Sequence, residues 1–227
     1  MSKEMIGDVP GNVLGMLEDL FLKLRKGVLS PDELELFLKK KNPFALPSDL
    51  LIDWQNFWKR MGIDADLRKV KIPKKPKGFD RLLVNPLTPQ KAYELCASKF
   101  KCWKYSNESL DKIVVHEDRT AKDGAYAVWV RERVEPDEEL KGKSANDLVG
   151  MKVFGNTLTE ALVYKLKFND ETGQHLNLAN WNLCSGSRYS GGDVPRVYWD
   201  GRYSGMLVDW AHPSDARGSL RSRQTVS

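Results

Sequence analysis

Apolar positions in the first sixty residues recur at helical spacing. From Val13 to Lys26, Leu14, Leu17, Phe21 and Leu24 step by three and four, which predicts an amphipathic helix ending near Gly27. Ser30-Pro31-Asp32-Glu33 reads as the next start: Ser30 caps, Pro31 fits the first helical position and Glu33 reaches back to the cap. Leu34, Leu36, Phe37 and Leu38 continue that helix until Asn42-Pro43 stops it. A third runs from Ser48 to Met61 with Leu51, Trp54, Phe57 and Trp58, and Gly62 supplies a left-handed stop. Residues 1–68 are therefore expected to form a helical segment, either a docking or oligomerisation module or a cap on the main domain.

Beyond it the periods mix. Phe79–Val84, between Gly78 and Asn85-Pro86, predicts a short strand. Thr88-Pro89 opens a helix carrying Ala92, Leu95, Cys96 and Phe100. From Gly124 to Val134 the pattern alternates, with Tyr126, Val128 and Val130 on one side and Ala127, Trp129 and Arg131 on the other. Ser144–Leu148 reads as a short helix, and Thr157-Leu158-Thr159-Glu160 is a capping box for a helix running to about Phe168. After Gly173 strands dominate. Val197 and Trp199 oppose Arg196, Tyr198 and Asp200, while Met206, Val208 and Trp210 oppose Leu207, Asp209 and Ala211, so two antiparallel strands join through Asp200–Gly205. The expected architecture is α+β, with a domain over 79–227.

Charge changes this picture at one place. The chain of 227 residues has 36 Lys+Arg against 31 Asp+Glu, a net charge of +5, and five of its lysines fall in Lys69–Lys77. With two prolines there, 69–78 reads as an extended linker, and clustered lysine makes nucleic acid a candidate partner. No run approaches the roughly 18 apolar residues of a membrane span, and the start lacks an apolar leader, so the cytoplasm is the expected location.

Chemistry is sparse. Cys96, Cys102 and Cys184 are an odd set, the first two six apart in what reads as one helix, and His116, His175 and His212 are scattered, so neither a disulfide framework nor a metal site is expected. Cys184-Ser185-Gly186-Ser187 reads as a strand end and turn rather than a nucleophile, and Glu135, Asp137, Glu138 and Glu139 as a solvated acidic turn. No phosphate loop or nucleophile elbow occurs, so no enzyme and no cofactor are expected.

The tail is compositionally odd. All 23 lysines lie at or before Lys167, and Ser185–Arg223 contains six Arg and four Asp but no Lys, Glu, Gln or Asn. Solubility accepts Lys and Glu as readily as Arg and Asp, so the exclusion points to another constraint. Tyr and Arg on the strand face opposite the tryptophans are the side chains that dominate binding surfaces.

Cys184-Ser-Gly-Ser-Arg-Tyr, Val194-Pro-Arg-Val-Tyr-Trp-Asp and the run from Val208-Asp-Trp-Ala-His-Pro to Ser222-Arg223 resemble the C-terminal end of variable proteins of diversity-generating retroelements. That family has a C-type-lectin fold related to formylglycine-generating enzymes, whose closing pattern Ser185-Gly-Ser-Arg, His212-Pro213 and Ser219-Leu-Arg resembles here. Similarity at motif strength covers about the last forty residues. It departs where Arg188 and Leu220 replace the wider fold's Trp and Phe, and neither the catalytic cysteine pair nor the calcium-lectin motifs have counterparts.

The resemblance implies a tail rewritten at adenine-containing codons that end in a pyrimidine. Once their adenines are replaced, such pyrimidine-ending codons can encode Tyr, Asp, Arg, His, Ser, Gly, Ala or Leu and never Lys, Glu, Gln, Met or Trp. By that implication Tyr189, Asp193, Arg196, Tyr198, Asp200, Leu207, Asp209, Ala211, His212, Arg217 and Ser219 are displayed, variable ligand-binding residues, while Trp199, Met206 and Trp210 are fixed scaffold. The ligand it implies is a macromolecule, most directly a protein.

Overall fold

A computed structural model describes residues 11–38 and 47–227. The chain divides between Leu50 and Leu51 into two units. The first holds α1 (Gly11–Arg25), α2 (Pro31–Leu38) and the start of α3 (Pro47–Arg60). The Ser30 cap forms as its chemistry dictates: Ser30 N donates to Glu33 Oε2 at 2.7 Å and Glu33 N donates to Ser30 Oγ at 3.2 Å. Leu17 and Phe21 on the α1 stripe are exposed. The expected stop at Asn42-Pro43 lies outside the described residues.

The second unit continues through β1 (Arg81–Asn85), α4 (Pro89–Lys99), β2 (Cys102–Lys104), α5 (Leu110–Ile113), β3 (Val114–Glu117) and β4 (Tyr126–Val130). After a 3₁₀ turn come α6 (Ala145–Gly150), α7 (Leu158–Thr172), β5 (Trp181–Leu183), β6 (Ser187–Tyr189), β7 (Val194–Asp200), β8 (Gly205–Ala211) and β9 (Leu220–Arg221). β1 pairs antiparallel with β4, and β3 with β6. The main sheet runs β2-β8-β7-β5-β9.

Helix α7 organises the core. Its capping box at Thr157 and Glu160 forms, and Gly173 ends it in a left-handed conformation at φ 69°. Every residue from Leu158 to Lys167 is buried, because α7 packs on α4, β1 and β7. The polar members are partnered. Arg119 Nε donates to Glu160 Oε1 at 2.7 Å, Lys167 Nζ donates to Asp53 Oδ2 at 2.7 Å, and Lys165 Nζ donates to the Leu176 carbonyl.

Several expectations change. Residues 51–78 belong to the second unit and are neither a separate segment nor a linker. Trp54, Phe57 and Trp58 are buried, and the two indoles donate to the Leu82 and Val84 carbonyls at 3.2 and 3.3 Å. The lysine-rich stretch is a pinned strap: Leu67 and Val70 are buried, Trp129 Nε1 donates to the Pro73 carbonyl at 2.8 Å, and Lys75 pairs with Asp80. β4 shows no open face, since Ala127 to Val130 are all buried. Cys96 lies on α4 and Cys102 on β2, so they do not share a helix.

The acidic turn is likewise not solvated throughout. Asp137 is buried and accepts from Arg131 Nη1 at 2.6 Å, and Glu135 accepts from the amides of Leu178, Ala179 and Asn180. Those hydrogen bonds hold Glu135 below the usual carboxylate range against the opposing effect of burial. The donors to Glu135 lie 43 to 45 residues further along the chain, so local composition could not reveal them.

Candidate functional site

The β7–β8 ladder assembles the site. Its register sets Arg196 opposite Asp209, Val197 opposite Val208 and Tyr198 opposite Leu207. Val197, Met206 and Val208 are fully buried, and Arg196, Tyr198, Leu207 and Asp209 are half-buried on the other face. Alternation therefore separates core from display at the centre of the ladder. Arg196 donates to both carboxylate oxygens of Asp209, through Nε to Oδ1 and through Nη2 to Oδ2 at 2.9 Å. The Tyr198 hydroxyl adds a 3.4 Å bond to Oδ2, and burial raises its pKa, reinforced by the Asp209 charge.

Neighbouring strands extend this face. Asn182 pairs with Val197, which sets Trp181 across from Tyr198 with ring centroids 5.5 Å apart, and the Arg196 guanidinium lies 4.1 Å from the Trp181 ring. On the other side Trp103 pairs with Leu207 and is 52% exposed. A row of Trp103, Leu207, Tyr198 and Trp181 thus crosses four strands beside the Arg196–Asp209 pair. Trp181, Trp103 and the adjacent Tyr105 were missed from sequence. The alternation of Trp103 and Tyr105 with Cys102 and Lys104 was the available signal.

Three nominated residues are not displayed. Tyr189 is 3% exposed: its ring packs edge-on to Tyr105 at 5.1 Å, and its hydroxyl donates to the Asp209 carbonyl at 3.4 Å, so it supports the face from within. Ala211 is 1% exposed because that end of the face is covered, with Val194, Leu183, Leu220, Trp181 and Ala145 of α6 packed together. Asp200 is buried at the hairpin, where its carboxylate accepts from Arg202 N, Nε and Nη2. Conversely Trp210, expected inside, is 49% exposed. It stands opposite the buried Pro195, next to the last pair of the ladder.

The remaining nominees sit in loops. Asp193 precedes β7, and its carbonyl accepts from Tyr189 N at 2.8 Å. His212 and Arg217 are exposed and Ser219 half-buried in the β8–β9 connection, where His212 Nδ1 is 2.7 Å from Ser214 Oγ. Among the described residues no hydrogen bond or ring contact joins these loop residues to the Arg196–Asp209 pair.

The Cys184–Ser187 run is internally committed. Burial pushes the Cys184 thiol well above its usual value. Ser185 Oγ lies 2.9 Å from Ser222 Oγ, and Ser187 Oγ accepts from Leu158 N and donates to Glu117 Oε1. Among the described residues no cluster of three metal-ligating side chains occurs, and no helix is long and apolar enough to cross a membrane. Comparison with protein-family models, curated proteins and solved structures finds no match to this chain.

Proposed function

We propose that the chain is a non-enzymatic recognition protein, similar to the variable proteins of diversity-generating retroelements, whose second unit is a C-type-lectin-like domain presenting a diversifiable face to a protein ligand. The observation that carries the reading is that Arg196, Tyr198, Leu207 and Asp209 share one half-buried sheet face above the fully buried Val197, Met206 and Val208. A rigid inner face permits replacement outside without unfolding. Trp103 and Trp181 frame the four with large aromatic area, the kind that anchors binding hot spots. Three free cysteines fit a reducing, cytoplasmic setting.

The deciding experiment has two parts. The DNA flanking the gene is inspected for a reverse transcriptase and an adenine-enriched near-copy of the 3′ end; their absence overturns the retroelement reading. A library randomised at Arg196, Tyr198, Leu207 and Asp209 is then expected to stay largely folded, and wholesale unfolding overturns the display reading.

Lys69, Lys71, Lys74 and Lys77 are exposed along the pinned strap and support one alternative, a nucleic-acid partner. Affinity for DNA or RNA that falls steeply between two salt concentrations, and is lost when those lysines become glutamine, favours it.

A further inference from the structure

A groove of about 630 Å³ is lined by α6, the turn that follows it, β3 and β6. Leu148, Val149, Val153 and Phe154 give it an apolar wall, of which Val149 and Phe154 are among the most exposed large apolar side chains of the described residues. Arg188, Lys152 and the His116–Asp118 pair give it a polar rim. Arg188 and Lys152 give the rim two positive charges and Asp118 one negative.

Arg188 is the notable member. It stands opposite His116 in the β3–β6 ladder, and its Nη1 donates to the Ser185 and Ser187 carbonyls at 2.8 and 2.7 Å. Those bonds fix the plane of the guanidinium with one nitrogen. Among the described residues its Nε and Nη2 have no acceptor and it forms no ion pair, while Asp118 is joined to His116 at 3.0 Å. A planar guanidinium presents five donors, and its Nε/Nη2 edge matches a carboxylate bidentately. Burial lowers its pKa against the opposing charge of Asp118, which lies near enough to act on it but accepts no hydrogen bond from it. Lys152, at φ 55°, holds a left-handed conformation uncommon for a residue with a side chain, at the same rim.

We propose that this groove binds a small monocarboxylate with an apolar body, its carboxylate on Nε and Nη2 of Arg188 and its body against Val149 and Phe154. The volume falls in the range of small-molecule sites. A bare anion would leave the apolar wall wet, and a neutral apolar molecule would leave Nε and Nη2 of the guanidinium without an acceptor. The site is independent of the sheet face and does not rest on the recognition reading.

The test titrates the full chain with octanoate, 1-octanol and acetate, followed by amide chemical shifts. Octanoate is expected to saturate with shifts centred on His116, Val149, Phe154 and Arg188, and to bind at least about tenfold more tightly than either control. Arg188→Gln is expected to weaken octanoate at least about tenfold. Lys152→Gln and Phe154→Ser, both at exposed positions, are each expected to weaken it several-fold and decide the matter if Arg188→Gln fails to fold. Absence of saturation, equal binding of octanol, or undiminished affinity in the folded variants overturns the proposal.

Discussion

Arg196 and Asp209 form a two-point ion pair across the β7–β8 ladder, with the guanidinium lying over the indole of Trp181. Both side chains keep only about a sixth of their surface, 16% and 17%, so the pair is more than a solvated surface contact. Whatever meets this face meets a preformed fork of charge bounded by aromatic rings.

Breaking the pair from one side should therefore cost more than breaking it from both. Asp209→Ala leaves a half-buried guanidinium and is expected to lose about 1–3 kcal/mol, and the Arg196→Ala/Asp209→Ala double variant to recover part of it. Urea denaturation of the four proteins in the cycle measures this. Additive losses would show that the pair contributes nothing of its own.

The tryptophans should separate by environment. Trp58→Ala empties a fully buried site and is expected to cost roughly 3–5 kcal/mol, whereas Trp210→Ala, on the exposed end of β8, should stay within about 0.5 kcal/mol. Midpoints of chemical unfolding give the comparison, and similar losses would refute the placement of Trp210.

Stability should pass through a shallow minimum near neutral pH. Burial raises Glu117 to about 7, so between the ordinary glutamate value and 7 the folded state holds a proton the unfolded chain has released, and stability falls as pH rises. Burial lowers Lys165 to about 7, so from there to the ordinary lysine value the unfolded chain holds the extra proton, and stability rises with pH. Glu117→Gln is expected to flatten the acid arm and Lys165→Met the alkaline arm. Unfolding free energies from pH 5 to pH 9 test each arm separately.

Among the described glycines, Gly155 leaves the least room for a side chain. A Cβ there would stand 1.8 Å from Ser185 Oγ and 2.5 Å from Ser222 Oγ. Gly155→Ala is expected to cost about 1–3 kcal/mol, and adding Ser185→Gly to relieve part of that cost. Thermal melts showing no loss in the single variant would contradict the packing described.

Local signals determined what local physics controls. Caps at Ser30, Thr88 and Thr157 were readable because a hydroxyl and an amide three positions on decide them, and each starts a helix in the structure. Period-two alternation likewise placed Val197, Met206 and Val208 inside and Arg196, Tyr198 and Asp209 on the opposite face. Tertiary structure decided how far each face is covered. Alternation carries no record of where a covering layer stops, so it could not tell that Ala211 lies beneath α6 or that Trp210 projects beyond the core. Nor could a lysine-rich stretch announce that Val70 and the Pro73 carbonyl tie it down, since Trp129, the partner that holds Pro73, stands 56 residues away. The arrival of Trp103 beside Leu207 through a parallel pairing is of the same kind: contacts between distant segments depend on the whole packed chain, and no window of neighbouring residues contains them.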